Sequence, residues 1–293
     1  MTKLPEPFKE LGKATLTKAA NNFVDFVITK YTGKSVKVFE AEGDVEADKI
    51  RTKWELVEKP FWLQAEAIKM ERQYSNLGNT LLKSAPIISA TKNNISDDND
   101  VFWGFLEHSK EISNEGMQEL ISKIIAGEYN VPGSYSMSTL QVIKMLGKSE
   151  LELFETICRL LINGNQVPST LFSLPEDTKI FMEELGVDFG SLQLLQTLGL
   201  FLPNDMANVS ENPEKKDYQV TYFDKSILFS PIIQENEDLL KILTPRFYKL
   251  SPVGEQLLKH LKLRYNDKYF TWLRGNYKIP NYKINPTPEV GLG

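Results

Sequence analysis

Between Asp97 and Leu146 the chain carries its densest run of structural signals, D-D-N-D-V-F-W-G-F-L-E-H-S-K-E-I-S-N-E-G-M-Q-E-L-I-S-K-I-I-A-G-E-Y-N-V-P-G-S-Y-S-M-S-T-L-Q-V-I-K-M-L. Val101, Phe102, Phe105 and Leu106 recur at helical spacing and give a short helix its apolar face. Ser113 is placed to cap a second helix, since its hydroxyl can accept from unpaired first-turn amides, and Glu115 then sits at the favourable end of the helix dipole. Met117, Leu120, Ile121, Ile124 and Ile125 form that helix's stripe, Gly127 lies near its end, and Pro132-Gly133 enforces a break. Ser136 or Ser138 can cap a third helix that buries Leu140, Ile143 and Leu146. Ser149 and Glu152 have the S-x-x-E spacing of a capping box for a fourth, which carries Leu151, Phe154, Ile157, Cys158 and Leu161. Short capped helices separated by tight breaks predict a bundle and no sheet here.

Upstream, Leu11, Leu16, Ala20, Phe23, Val27 and Tyr31 predict a helix over residues 8–31, with Pro5 and Pro7 before it and Gly33 after. Lys9, Lys13, Lys18 and Lys30 lie between its apolar positions, so it suits either a membrane surface or packing on protein. Residues 40–90 read as a charge-rich helical stretch that Pro60 divides or kinks, with Trp54, Phe61, Trp62, Ile68, Met70, Tyr74, Leu77, Leu81 and Leu82 on its buried face. Such a stretch can mediate oligomerisation, although no heptad is sustained. Thr91 to Asp100 is a polar linker.

The last third changes character. A short helix ends at Gly199, and Pro203 to Asp217 is a polar loop. Y-Q-V-T-Y-F and I-L-F-S-P are strand candidates around an Asp224-Lys225 turn, and Phe247 to Leu250 is another. Ser251-Pro252 then opens a helix, S-P-V-G-E-Q-L-L, with serine as cap and proline in its first turn. This order resembles winged-helix domains, in which an L-T-x-x-G-x-x-L step follows the wing. The predicted fold is therefore mainly α: a helical bundle with a C-terminal winged-helix-like α+β module. Expected divisions are 1–92, 97–165, 166–283 and a tail at 284–293.

Composition narrows the function. No apolar run approaches the roughly 20 residues of a membrane span. The start, M-T-K-L-P-E-P-F-K-E, lacks the apolar core of a signal peptide, and the single cysteine, Cys158, fits a reducing compartment. A cytoplasmic protein is expected. His108 and His260 have no metal-ligand partner on one helix face, and Cys158 falls on an apolar stripe. Gly127, Glu128 and Gly133 follow a helix where a phosphate loop would precede one. Asp97, Asp98, Asn99 and Asp100 echo a calcium loop but lack its glycine and terminal glutamate. Neither enzyme chemistry nor a cofactor or metal is expected.

The net charge is −5, yet Thr244 to Lys283 holds nine cations against Glu255 and Asp267, a local balance of +7. Arg246, Lys249, Lys259, Lys262, Arg264, Lys268 and Arg274 are the candidate nucleic-acid contacts, with Lys278 and Lys283 beyond them. Phe247, Tyr248, Tyr265, Tyr269, Phe270, Trp272, Tyr277 and Tyr282 are interleaved. Cations hold phosphates and aromatics stack on unpaired bases, so a nucleic-acid surface is one reading. Buried aromatics under a solvated basic face is the other.

Residues Ile124 to Leu140, I-I-A-G-E-Y-N-V-P-G-S-Y-S-M-S-T-L, resemble the signature I-L-A-G-E followed by P-G-S-[FY]-S-x-x-T-L of a bacterial family, Domain of Unknown Function 2806. Arg72-Gln73-Tyr74-Ser75-Asn76-Leu77 is similar to its R-Q-x-N-[IL], and Ile112 to Gln118 to its I-S-[DN]-E-x-M-Q. Trp103 and Phe105 resemble its W-x-x-[RW]-F region with altered spacing, and Ile121 stands where the family usually has tryptophan. The resemblance covers residues 65–160 well and Leu250 to Leu257 loosely. It implies a mostly helical cytoplasmic protein without an assigned activity, and a mobile-element or phage-defence context. The expected role is a non-enzymatic interaction or regulatory protein, with a protein partner or self-association. Nucleic-acid binding by the C-terminal module is the alternative.

Overall fold

The computed structural model describes residues 7, 10, 16–32, 61–90, 95–172, 176–204, 209–210, 218–231, 242–243, 246–278 and 282–284. The chain folds as two compact units, Met1–Lys144 and Met145–Gly293.

In the first unit, helix α1 (Lys18–Thr32) buries Ala19, Ala20, Phe23, Val24, Val27 and Ile28. The stretch predicted over 8–31 is not one continuous helix: Glu10 is helical, Leu16 and Thr17 are not, and the Thr17 hydroxyl accepts from the Ala20 amide at 3.2 Å. Phe23 meets Tyr129 edge-on at 4.7 Å and Phe26 lies 5.5 Å from Trp103. The apolar face of α1 is thus spent inside its own unit, which favours the packing reading over a membrane surface. Each such ring removed from water contributes about 1.5–3 kcal/mol.

Helix α2 (Phe61–Ser84) follows Pro60, and a 3-10 turn (Ala85–Ile87) continues it. The expected partner segment before Pro60, with Trp54, lies outside the described residues. Leu77 and Leu81 are buried as expected, but Ile68 and Met70 are exposed. Farther along α2, Arg72 and Gln73 both bind Glu111 (3.2 and 2.5 Å), and Asn76 donates to the Lys110 carbonyl (2.8 Å).

Helix α3 (Asp100–Ser109) is capped by Asn99, whose side chain accepts from the Phe102 amide. Helix α4 (Glu115–Asn130) is capped by Asn114, one residue beyond the expected Ser113; the Ser113 hydroxyl instead accepts from Asn76 at 3.2 Å. Met117, Leu120, Ile121, Ile124 and Ile125 are all buried. Small polar residues bring α2 and α4 together: Ser84 donates to the Ser122 carbonyl and Ser122 to the Thr80 carbonyl, both at 3.1 Å. Helix α5 (Met137–Met145) is capped by Ser136, and its Leu140 sits where a Cβ on Gly104 of α3 would intrude.

The second unit opens with α6 (Lys148–Cys158). The expected Ser149–Glu152 box is displaced two residues: Glu150 accepts from the Gly147 amide at 3.0 Å. Leu151, Phe154, Ile157, Cys158 and Leu161 are buried as predicted. Strand β1 (Gln166–Pro168), helix α7 (Glu176–Glu184) and helix α8 (Phe189–Thr197) follow, and Gly199 ends α8 with φ 79°. The other strands are β2 (Val209–Ser210), β3 (Tyr218–Tyr222), β4 (Lys225–Pro231), β5 (Ile242–Leu243), β6 (Phe247–Lys249) and β7 (Tyr282–Ile284). Three antiparallel sets form: β1 with β6, β2 with β5, and β3-β4-β7. Phe201 adds an isolated antiparallel bridge to Leu250. The β3–β4 turn is Phe223-Asp224, because Lys225 already pairs with Tyr222. Helix α9 (Pro252–Leu258) is capped by Ser251, and helix α10 (Asp267–Asn276) by Asn266. The chain is thus mainly helical with small antiparallel sheets toward its C-terminus. Among the described residues, no helix is long and apolar enough to cross a membrane.

Candidate functional site

The signature residues resolve into a structural clasp. Glu128 is buried, and its carboxyl group accepts from the Gly133 amide (2.7 Å), the Tyr135 amide (3.1 Å) and the Asn99 side chain (3.1 Å). It ties the P-G-S-Y loop, with Gly133 at φ 85°, to the last turns of α4 and the cap of α3. Gly127 lies beneath Tyr135; a Cβ there would stand 2.9 Å from the tyrosine hydroxyl. Burial and the Glu128 charge push the Tyr135 hydroxyl up to about 12. Asn130 accepts from the Ser89 and Ala90 amides and donates to the Ile87 carbonyl, fixing the chain after α2. These groups are occupied by one another.

The other chemical candidates are also accounted for structurally. Burial pulls the His108 imidazole below its usual range, partly opposed by a hydrogen bond with the Ile143 backbone. His260 is half-buried. Cys158 is buried, and desolvation followed by the Glu155 charge pushes its thiol well up, so little thiolate forms. In the acidic run, Asn99 caps α3 and Asp97 pairs with Lys30 at 2.6 Å. Among the described residues, no group of three His, Cys, Asp or Glu side chains is arranged to hold a metal.

The basic C-terminal segment divides by residue type. Arg246, Lys259, Lys262, Arg264, Lys268, Arg274, Lys278 and Lys283 are exposed, and Lys249 is half-buried in β6. Lys268 is bound to Glu184 of α7 at 2.8 Å. The interleaved aromatics turn inward: Phe247, Tyr269, Phe270, Trp272 and Tyr277 are buried, while Tyr248 and Tyr265 are half-buried. The Tyr282 side chain lies outside the described residues. Tyr269 donates to the Leu160 carbonyl at 2.7 Å, and Trp272 to the Thr178 hydroxyl at 3.0 Å. Tyr222 donates to the Arg159 carbonyl and accepts from the Asn266 amide, and burial pushes its hydroxyl up to about 12. These rings fasten α10 to the body of the unit, so the expected base-stacking row is mostly core.

Two surface features escaped the sequence reading. Lys225 begins β4, and its ammonium sits 4.9 Å from the Tyr265 ring and 5.1 Å from the Phe270 ring. With Asp267, Thr271, Arg274 and Gly275, Lys225 and Phe270 line an open hollow of ≈ 480 Å³. The second feature is α8, capped by Asp188. It contains no charged residue, and Phe189 and Leu194 are exposed at 45% and 41%. Phe189 joins Phe172 (6.3 Å) and Tyr248 (6.5 Å) in an aromatic cluster. Lys225 lay outside the basic segment, and Leu194 reads as an ordinary core leucine, so only the fold could single them out.

A family model described as "Protein of unknown function (DUF2806)" matches residues 64–274. No curated protein and no solved structure matches the chain.

Proposed function

The chain belongs to the DUF2806 family of proteins of unknown function, and from its surfaces we propose a non-enzymatic cytoplasmic interaction protein whose C-terminal unit is a winged-helix-like module. The order α6, β1, α7, α8, Phe201 bridge, β6, and the pairing of β1 and Phe201 with the β6 segment, support that reading. In it the wing is the long insertion carrying β2 to β5, and α8 takes the place of the recognition helix. A helix that reads DNA needs donors and cations at the groove. The observation that carries the proposal is that α8 offers no cation: it is uncharged, and beside the polar Gln193 and Thr197 it presents Phe189 and Leu194 to solvent. That chemistry suits a protein partner, in a regulatory or phage-defence setting.

Crosslinking in cell extract, compared with a Phe189→Asp/Leu194→Asp double variant, tests it. A partner, or a second copy of the chain, held by the wild type and lost from a variant of unchanged circular dichroism is the expected result. A variant that keeps every partner overturns the proposal.

The exposed cations favour a second reading, in which Lys259, Lys262, Arg264 and Arg274 contact nucleic-acid phosphates without stacking bases. A mobility shift that weakens with salt and with Lys262→Glu/Arg264→Glu would support it. No shift at low salt would sink it.

A further inference from the structure

The turn that leads from α6 into β1 is Asn163-Gly164-Asn165, closed by paired backbone hydrogen bonds between Ile162 and Gln166 (2.7 and 3.0 Å). Asn163 and Gly164 both lie in the left-handed region, at φ 50° and 81°, which asparagine and glycine tolerate best. This is the one place in the chain where glycine follows asparagine. The pair carries a chemistry of its own. Glycine has no Cβ to shield its nitrogen or restrict the backbone, so in an unfolded chain the Gly164 nitrogen can reach the Asn163 side-chain carbonyl carbon.

The fold ties down both ends of that carboxamide. Its Oδ1 accepts from the Thr221 amide (2.9 Å) and the Thr221 hydroxyl (3.3 Å), and its Nδ2 donates to Gln166 Oε1 (3.2 Å). The Tyr218 hydroxyl hydrogen-bonds with the same side chain, and the Asn163 amide donates to the Thr221 carbonyl at 2.9 Å. Among the described residues β3 stands at one end of its sheet, so Asn163 serves as the partner of its outer edge. On the other flank, Asn165 donates to Glu255 of α9 (2.7 Å) and its carbonyl accepts from the Leu250 amide (3.0 Å). Of the three turn residues only Gly164 is exposed. The Asn163 carbonyl carbon therefore cannot swing onto the Gly164 nitrogen without releasing β3.

We propose that Asn163-Gly164 is a latent self-modification site, closed in the folded chain and opened when the turn parts from β3. The Gly164 nitrogen attacks Asn163 Cγ and gives up its proton, the Cγ–Nδ2 bond breaks, and the side-chain nitrogen leaves as ammonia. A five-membered succinimide remains. Water then adds to either ring carbonyl and breaks its bond to the ring nitrogen, giving aspartate or isoaspartate, with nothing oxidised or reduced. Isoaspartate lengthens the main chain by one carbon inside a turn fixed on both flanks, so the turn cannot reseat and β3 loses its edge partner. The modification thus records an opening of the second unit permanently. It is independent of the α8 proposal.

Incubating the full chain in mildly alkaline buffer, with and without denaturing guanidinium chloride, and mapping its peptides by mass spectrometry tests it. In the denatured chain Asn163 should be the first asparagine converted. In the folded chain its conversion should be slower by about tenfold or more, because the rate follows the fraction of molecules in which the turn is open. A Gln166→Ala/Thr221→Val double variant removes two partners of the carboxamide and keeps the backbone bonds. It should convert about threefold faster than wild type when folded, at unchanged circular dichroism. Isoaspartyl chains, refolded by dilution, should melt below an Asn163→Asp variant, which carries the new charge on an unaltered main chain. Equal rates in the folded and denatured chains, another asparagine converting first, an unchanged rate in the double variant, or isoaspartyl chains melting with Asn163→Asp overturns the proposal.

Discussion

Glu128 uses both carboxyl oxygens, accepting from two backbone amides of the P-G-S-Y loop and from the Asn99 side chain. Glu128→Ala would take the carboxylate from these part-buried groups, costing about 1–3 kcal/mol. The expected result is a clearly lower urea midpoint; an unchanged midpoint would show that water replaces the carboxylate. Two glycines make a sharper comparison. At Gly127 a Cβ meets the hydroxyl end and ring edge of Tyr135, which can swing aside, whereas at Gly254 it meets the Leu200 carbonyl oxygen and the Leu250 side chain. Backbone cannot move as a rotamer does. Gly127→Ala should therefore cost about 1–3 kcal/mol and Gly254→Ala more, in parallel thermal melts of the two variants. The sequence marked Gly127, Glu128, Gly133 and Gly254 as motif letters. Only the neighbours explain them, because Tyr135 and Leu200 reach their glycines from eight and more residues away.

Helices were legible where one face decides the matter. The stripes of α3, α4 and α6 are buried as their spacing predicts, since a 3.6-residue period leaves an apolar stripe nowhere else to go. Their starts were less legible. Ser113 and Asn114 are both good caps by type, and the choice fell to Asn114 because Ser113 is taken up by Asn76. Asn114→Ala should cost about 1 kcal/mol and Ser113→Ala less, read from urea unfolding. Equal losses would mean that the two share the cap. The exposure of Ile68 and Met70 in α2 was also illegible, since both fit an amphipathic stripe.

Across the molecule, each unit depends on buried phenols. Tyr135 in the first and Tyr222 in the second are both pushed up to about 12 by burial, against an ordinary value near 10. A folded value above the unfolded one means that the stabilisation is complete below about pH 10 and is lost as pH rises toward 12, because the unfolded chain ionises first. Urea midpoints should hold steady from pH 8 to about 9.5 and then fall through pH 11; a flat profile would show that both phenols open to water. The sequence by itself determined that the chain is mainly helical, where its central helices bury their faces, and that it carries a basic C-terminal segment. Periodicity, composition and charge are local properties, and local spacing suffices to express them. Tertiary structure decided which way the C-terminal aromatics face, that Glu128 clasps a loop, and that Lys225 and Arg274 line one hollow. Those facts depend on strand pairing and helix packing between residues far apart in the chain, and no window of sequence contains both partners.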